Sequence, residues 1–289
     1  MHTLLFLLLL FTATQAGKPL PELDQLFQQQ SGWIGGDGFY SVRLSPHKIA
    51  WLFSDTWIGK VENKKRTDAT IINNTVVIED CSSGKPVMSF WYQNREGKPE
   101  ALFKPARNSR DWYWLQSATM TGSQLAVFMA RIEKTDDKSV FGFKQNGQWL
   151  AMVSNPQESP QKWKYEQCEV PHSKFEKDRS VCWGGANCQV GDDLYVYGFV
   201  EQRKLKLLTR SLVVARVPVQ SVNDFKQWRF YGAGDWHSDP EKASLMAGGM
   251  SPEFSVSRLG SEYVLIYTEN GLSERILMRK SANPWGALV

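Results

Sequence analysis

Short apolar runs bounded by turn residues recur along this chain. Residues 39 to 44 and 48 to 54 are strand-like on either side of Ser45-Pro46-His47, which predicts a β-hairpin. Aligned by its turn, the unit recurs from Phe39 to Trp57 (Ser45-Pro46), Leu115 to Ile132 (Gly122-Ser123), Gly185 to Gln202 (Gly191-Asp192) and Glu253 to Asn270 (Gly260-Ser261). In each unit the strand after the turn is the more apolar, as in Ile49-Ala50-Trp51-Leu52-Phe53 and Tyr263-Val264-Leu265-Ile266-Tyr267. Unbroken apolar runs of that length predict strands covered on both faces.

Further strand candidates lie between the hairpins: Val87 to Gln93 with Ala101-Leu102-Phe103, Val140 to Phe143 with Trp149 to Val153 across Asn146-Gly147, and Leu212 to Val217. Turns at 45, 122, 191 and 260 give intervals of 77, 69 and 69 residues. One four-stranded sheet per interval, with long loops, is the unit of an all-β propeller. Four inner hairpins fit before Val289, and the fourth begins only near Met250. Either the ring has four blades and is closed by N-terminal residues, or it is of the five-bladed type and truncated after the fourth. The second reading is the expectation.

The first hairpin carries the candidate chemistry. A turn centred on Pro46 sets Asp37 opposite Asp55, and directly opposed residues have Cβ atoms roughly 4.5 to 5.5 Å apart. Two carboxylates that close do not ionise independently, which is how an acid and a base arise from one residue type. Glycoside hydrolysis requires such a pair, one group protonating the leaving oxygen and the other acting as nucleophile or as base for water. Facing positions suit the shorter, retaining spacing, with rotamers able to open it toward inversion. The plainer alternative is a turn aspartate at 37 and a backbone-bonded strand-end aspartate at 55.

Glu253 begins the fourth hairpin at the place Asp37 takes in the first, so both are expected to project toward one end of the ring. Glu269, opposite Pro252, is a weaker candidate, and Asn187 holds the matching place in the third unit, where an amide binds hydroxyls. Trp33 and Trp57 flank the aspartates, while Trp112, Trp114 and Trp183 precede inner hairpins as Trp33 does. Among twelve tryptophans these are candidate sugar platforms, with packing between blades as the competing role. Arg275 and His237 read as solvated loop residues.

Composition sets the setting for this site. The apolar run Leu4 to Phe11 and then Thr14-Gln15-Ala16 read as a signal peptide over residues 1–16, which makes the product secreted or periplasmic and residues 17–289 one domain. The run is too short to span a bilayer, for which ~20 apolar residues are needed, and no membrane association is expected after cleavage. A net charge of +4 with one short basic run, Lys64-Lys65-Arg66, argues against nucleic acid. Cys81, Cys168, Cys182 and Cys188 in an exported chain are expected to be oxidised; three pairings are open, and pairing Cys182 with Cys188 is disfavoured because they share a strand. Without a CxxC motif or nearby histidines, no metal or cofactor is expected. Asp136-Asp137 and Asp192-Asp193 read as turn residues, and Asn73-Asn74-Thr75 matches a glycosylation sequon.

Several segments carry a family resemblance: Gly35-Gly36-Asp37-Gly38, Trp51-Leu52-Phe53-Ser54-Asp55-Thr56-Trp57, Met250-Ser251-Pro252-Glu253-Phe254-Ser255-Val256, Tyr267-Thr268-Glu269 and Asn283-Pro284-Trp285-Gly286. The chain resembles secreted bacterial propellers long filed as domains of unknown function, among them endo-D-arabinanases, and similar in architecture to five-bladed propeller glycosidases. The resemblance spans most of Trp33 to Gly286. It implies a polysaccharide site at the central funnel, with Asp37 and Asp55 as catalytic carboxylates acting on a furanoside-rich, arabinan-like substrate. A noncatalytic carbohydrate-binding propeller is the alternative. Two departures stand out: no blade follows Trp285-Gly286, and Gln116-Ser117 stands where some propeller glycosidases carry another acid.

Overall fold

The structure is a computed structural model in which residues 18–106, 110–205, 207–271 and 273–286 are described. The expected signal peptide lies outside them. All four hairpins form where their turns were read. Their strands are Tyr40–Ser45 with Lys48–Phe53, Trp112–Thr121 with Gln124–Lys134, Arg179–Val190 with Asp193–Lys204, and Phe254–Leu259 with Glu262–Thr268. The three later turns each open on a glycine in the left-handed region, Gly122 and Gly191 at φ 61° and Gly260 at φ 64°. That geometry matches the right-handed twist of the strands being joined.

Each hairpin is the inner part of a sheet. The first sheet adds Thr75–Asp80 and Val87–Trp91, and the second adds Phe143–Val153 and Tyr165–Glu169. The third, with Leu207–Pro218 and Arg229–Gly232, is extended to six strands by the short Lys174–Phe175 and Asp235–His237. The fourth has three strands, ending in Ile276–Ser281. Uniform four-stranded blades are therefore the pattern of the first two sheets only. The described residues supply four sheets of this kind.

The apolar runs are explained by what lies on each side of them. Leu125, Val127 and Met129 pack with Val42, Leu44, Tyr113 and Leu115 in a core between the first and second sheets. From the same strand, Ala126 and Phe128 face the other way, into a core with Trp183, Val196 and Trp228 between the second and third sheets. A third core joins Tyr197 and Leu212 to Phe254, Val256 and Leu265 of the fourth. A strand wedged between two sheets has no polar face, so its sequence shows no alternation.

A further three-stranded sheet, Ser31–Gly36, Thr56–Glu62 and Lys65–Ile72, continues the first sheet beyond its end. The register Tyr40↔Leu52 through Arg43↔Ile49 resumes at Gly36↔Thr56 on the other side of a gap. Likewise Phe53↔Thr75 resumes as Thr56↔Ile72. One three-stranded ribbon thus breaks at residues 37–39, 54–55 and 73–74. Asp37, Asp55 and Asn73 lie side by side in the break.

Three expectations are corrected. Asn146-Gly147 is no hairpin turn but part of the continuous strand Phe143–Val153, where a register shift between Arg131 and Ile132 leaves Asn146 as the extra residue and pairs Gly147 with Arg131. Ala101-Leu102-Phe103 forms no strand; Phe103 is instead held by Asn74, whose Oδ1 accepts from its N–H at 2.8 Å. All four cysteines are free thiols, Cys182 buried and donating to Gln148 Oε1 at 3.3 Å. No helix among the described residues is long and apolar enough to cross a membrane.

Candidate active site at the ribbon break

The chain turns tightly where the ribbon breaks. Gly38 has φ +88°, and a Cβ there would lie 2.9 Å from Ser54 Oγ and 3.2 Å from Ser54 N, so only glycine fits. Phe39 follows at φ 32°, rare for a residue with a side chain. In this bend the Asp37 N–H donates to Asp55 O at 3.0 Å, and the Ser54 N–H donates to Asp37 O at 2.8 Å. The two aspartates therefore face each other across adjacent strands, as the turn position implied.

Their environments differ. Burial pushes the Asp37 carboxyl up to about 6, with the Asp55 and Glu253 charges adding to it; backbone N–H groups of Asp55 and Asp37 itself pull the other way. Although solvent still reaches the Asp37 residue, its carboxyl group is crowded by protein, and the crowding governs its proton affinity. Asp55 is clamped from two sides. Trp114 Nε1 donates to its Oδ1 at 2.8 Å and Asn73 Nδ2 donates to the same oxygen at 3.2 Å. Glu253, arriving from the start of the fourth hairpin, is also raised by burial. Three acids from two hairpins converge, two of them poised to hold a proton at higher pH than a free side chain.

The surrounding strands are irregular at this level. The second hairpin shifts register between Leu115 and Ala118, and the third between Trp183 and Ala186. Such bulges free side chains and carbonyls to bridge neighbours. Ser54 Oγ donates to Leu115 O at 3.1 Å, Ser117 Oγ to Gly184 O at 2.7 Å, and Asn187 Nδ2 to Ser117 Oγ at 2.9 Å. Gln116, which stands where some propeller glycosidases carry an acid, accepts from Gln148 Nε2 at 2.7 Å in a buried amide network. A cleft of about 700 Å³ is lined by Trp114, which bonds Asp55, and by Pro252, next to Glu253, together with Phe143, Gln145, Asn146, Glu201 and Arg210; Asp37, Asp55 and Glu253 are not themselves in its lining.

Not every expected residue joins this site. Trp33 is buried, its Nε1 donating to Thr75 Oγ1 at 3.1 Å and its ring packed on Phe53; Trp183 is buried, donating to His172 O at 3.1 Å and packed on Phe230. Both are corrected from sugar platforms to core residues, because their faces are already covered. Trp57 is half-buried on the outer sheet beneath the Arg66 guanidinium, 5.0 Å from the ring centre. Trp112 is half-buried beside Trp114 and lines a separate cavity of about 430 Å³ with Asn73 and Asp111. The Asn187 amide is committed to Ser117, and Glu269 pairs with Arg275 at 3.2 Å. Arg275 is thus not simply solvated, and neither is His237, whose Nε2 hydrogen-bonds with Gly232 O at 2.9 Å. Among the described residues no group of three or more His, Cys, Asp or Glu could hold a metal ion.

Sequence reasoning missed the partners of Asp55. In the sequence Trp114 is one tryptophan of several and Asn73 part of a sequon, and neither pattern marks a carboxylate partner. The usable signal was the register of the third ribbon strand, which sets Asn73 opposite Asp55.

No curated protein matches the sequence. Solved structures share the fold, two of them as follows. One is a "putative hydrolase" from Bacteroides ovatus ATCC 8483, with TM-score 0.70 and 18% identity over 93% of this chain and 72% of that one. The other is an α-L-arabinofuranosidase from Clostridium thermocellum ATCC 27405, with TM-score 0.51 and 11% identity over 87% of this chain and 70% of that one. What these two likenesses share with the chain is the all-β fold, the second of them being a family-43 glycoside hydrolase. A family model matches residues 21–288, and the chain belongs to the family described as Domain of unknown function (DUF5005).

Proposed function

We propose that this chain is a glycoside hydrolase whose reacting carboxyls are Asp37 and Asp55, with Glu253 assisting. The observation that carries the reading is the asymmetry of the facing pair. Asp37 is crowded and pushed up to about 6, while Asp55 is oriented by two N–H donors on one oxygen. Asp37 then protonates the leaving oxygen, and Asp55 serves on the opposite side as nucleophile or as base for water. Glu253 adds negative charge that keeps the proton on Asp37. The substrate reaches the acids by way of the cleft that Trp114 and Pro252 help to line.

The finer reading is an exported, single-domain, five-bladed-type propeller acting on a furanoside-rich, arabinan-like polysaccharide. Its support is the sequence resemblance to arabinan-active propellers and the apolar leader. Hydrolysis of arabinans and related glycans by wild type, Asp37→Asn and Asp55→Asn tests it. Wild type is expected to release product, each variant to lose roughly a hundredfold or more in rate with folding intact, and the product anomer to distinguish retention from inversion. Saccharide binding without turnover in all three proteins sinks the enzyme reading and leaves a noncatalytic carbohydrate-binding propeller.

A further inference from the structure

The basic run Lys64-Lys65-Arg66 has no part in the acid site, yet the fold gives it a defined place. It lies where Thr56–Glu62 turns back into Lys65–Ile72, and the two turn residues, Asn63 and Lys64, have φ 51° and 63°, the pattern of a type I′ hairpin. Ile58 and Ile72 turn one face of this outer sheet to a core with Trp33. Trp57, between the buried Thr56 and Ile58, lies on the other face, opposite Ile71 in the ladder. That face holds an open groove of about 900 Å³, lined by Trp57, Lys64, Lys65, Arg66, Asp68 and Ala69 among others. Bulk is missing from its middle, because Ala69 is small and a Cβ on Gly59 would fall 2.6 Å from Ala69 Cα.

The charge of this groove is unbalanced. Among the described residues no carboxylate pairs with Lys64, Lys65 or Arg66; Asp68, the acid in the lining, is held by Lys60 at 3.4 Å, and Glu62, opposite Lys65 in the ladder, lies outside the lining. The Arg66 guanidinium sits 5.0 Å from the centre of the Trp57 ring, a contact that orders a long side chain without using its N–H donors. The groove is also close to both aspartates along the chain, although neither lines it. A Cβ on Gly35, two residues before Asp37, would stand 3.8 Å from Arg66 Nη2, so the guanidinium reaches the strand that leads into Asp37. Trp57 is two residues beyond Asp55, roughly 7 Å along a strand and on the order of one sugar unit.

We propose that this groove binds a carboxylate-bearing sugar of an acidic polysaccharide, with Arg66, backed by the Trp57 indole, receiving the carboxylate while Lys64 and Lys65 add positive charge. A planar guanidinium meets a carboxylate through two parallel N–H···O bonds, a match that a point-like ammonium does not make. The proposal rests on the hydrolase reading and sharpens its substrate class: the chain being cut carries a uronate within a unit or two of the bond that Asp37 and Asp55 break. A glycan suits the groove better than nucleic acid, because the basic run is short, charge elsewhere is dispersed, and the strands that line it lead into the two aspartates.

The test is calorimetric titration of the protein with oligogalacturonate and with a neutral arabino-oligosaccharide of the same length, which requires no turnover. Oligogalacturonate should bind roughly tenfold or more tightly, with the margin shrinking as salt rises past about 0.15 M. Arg66→Gln should lose roughly tenfold in affinity for it, and Arg66→Lys should recover only part of that loss. Lys280→Gln, which removes one exposed charge from the fourth sheet, measures the effect of net charge alone. No preference for oligogalacturonate, or an Arg66→Gln loss no larger than that of Lys280→Gln, overturns the proposal. Equally tight binding of dextran sulfate or of a single-stranded DNA oligomer also overturns it, by showing a general anion surface. Should a variant not fold, the wild type gives a second readout: oligogalacturonate should shift the Arg66 and Trp57 side-chain N–H signals, and unmoved signals count against the groove. Selective binding by a wild type that hydrolyses no glycan would reject the hydrolase reading and leave the groove standing; hydrolysis of neutral arabinan without that selectivity would do the reverse.

Discussion

The first and third hairpins share a turn position and an inner place in their sheets, yet the first brings acids together where its pairing is interrupted, while the third carries no acid beside its own irregularity at Gly184 and Gly185. In the third, Arg179–Val190 and Asp193–Lys204 pair along their whole length apart from a bulge at Gly184 and Gly185, and the freed space is filled by packing. The Cβ of a residue at 184 would fall 2.2 Å from a ring carbon of Phe128. In the first, the ladder breaks altogether at residues 37–39 and 54–55, then restarts as a second sheet in the same register. A bulge that collapses onto a neighbour yields core. A break held open by backbone bonds between Asp37, Ser54 and Asp55 yields a site, because the Asp37 carboxyl placed there is crowded and neither aspartate forms a salt bridge among the described residues.

The largest test of this contrast lies in the third hairpin. Trp183→Ala should cost about 3 to 5 kcal/mol of stability, since a fully buried indole is lost from the core between two sheets. Its melting point should fall steeply, while turnover per folded molecule, measured well below the transition, stays near wild type. Gly38→Ala should cost roughly 1 to 3 kcal/mol, combining a strained left-handed residue with the 2.9 Å approach to Ser54 Oγ. Here turnover should fall far more than folded fraction, because Asp37 moves with the bend; equal losses of both would deny the break any special role.

Trp114→Phe keeps an aromatic ring but removes the N–H that reaches Asp55. The expected result is about a tenfold fall in kcat, equivalent to about 1.4 kcal/mol, with a melting shift of a degree or two. The smallest effect concerns pH. Because the Asp37 carboxyl is raised from 3.8 to about 6, the native state holds that proton more tightly than the unfolded chain does. Stability tied to Asp37 is therefore complete below about pH 4 and declines as pH rises through about 6. Asp37→Asn should match wild type at pH 4 and melt slightly higher at pH 7, gaining stability where it loses activity. A lower melting point at pH 7 would contradict the crowding of Asp37.

Much of this arrangement was legible in the chain. Pro46 set the register, the register set Asp37 against Asp55, and Gly122, Gly191 and Gly260 marked the later turns. Burial on both faces followed from runs such as Leu125 to Phe128. What escaped was long-range. Whether Trp33 stacks on sugar or on Phe53 depends on strands far along the chain, and a tryptophan carries no mark of its neighbours. Asn146-Gly147 has the composition of a turn, but pairing of Phe143–Val153 with the preceding strand overrides that local preference. The outer sheet was hidden because Asp55 looks like the end of a strand when it is an interruption in one.

Asn73 gives the ribbon break a practical meaning for anyone making the protein. Its side-chain nitrogen, one of the two that steer Asp55, is also the atom a eukaryotic secretory pathway would glycosylate within Asn73-Asn74-Thr75. Material from yeast or mammalian cells could carry an oligosaccharide tree rooted against the acids, whereas cytoplasmic bacterial production leaves that nitrogen bare. Choice of expression host is thus itself a perturbation of the site, and preparations from the two kinds of cell should not be compared as if they were the same molecule.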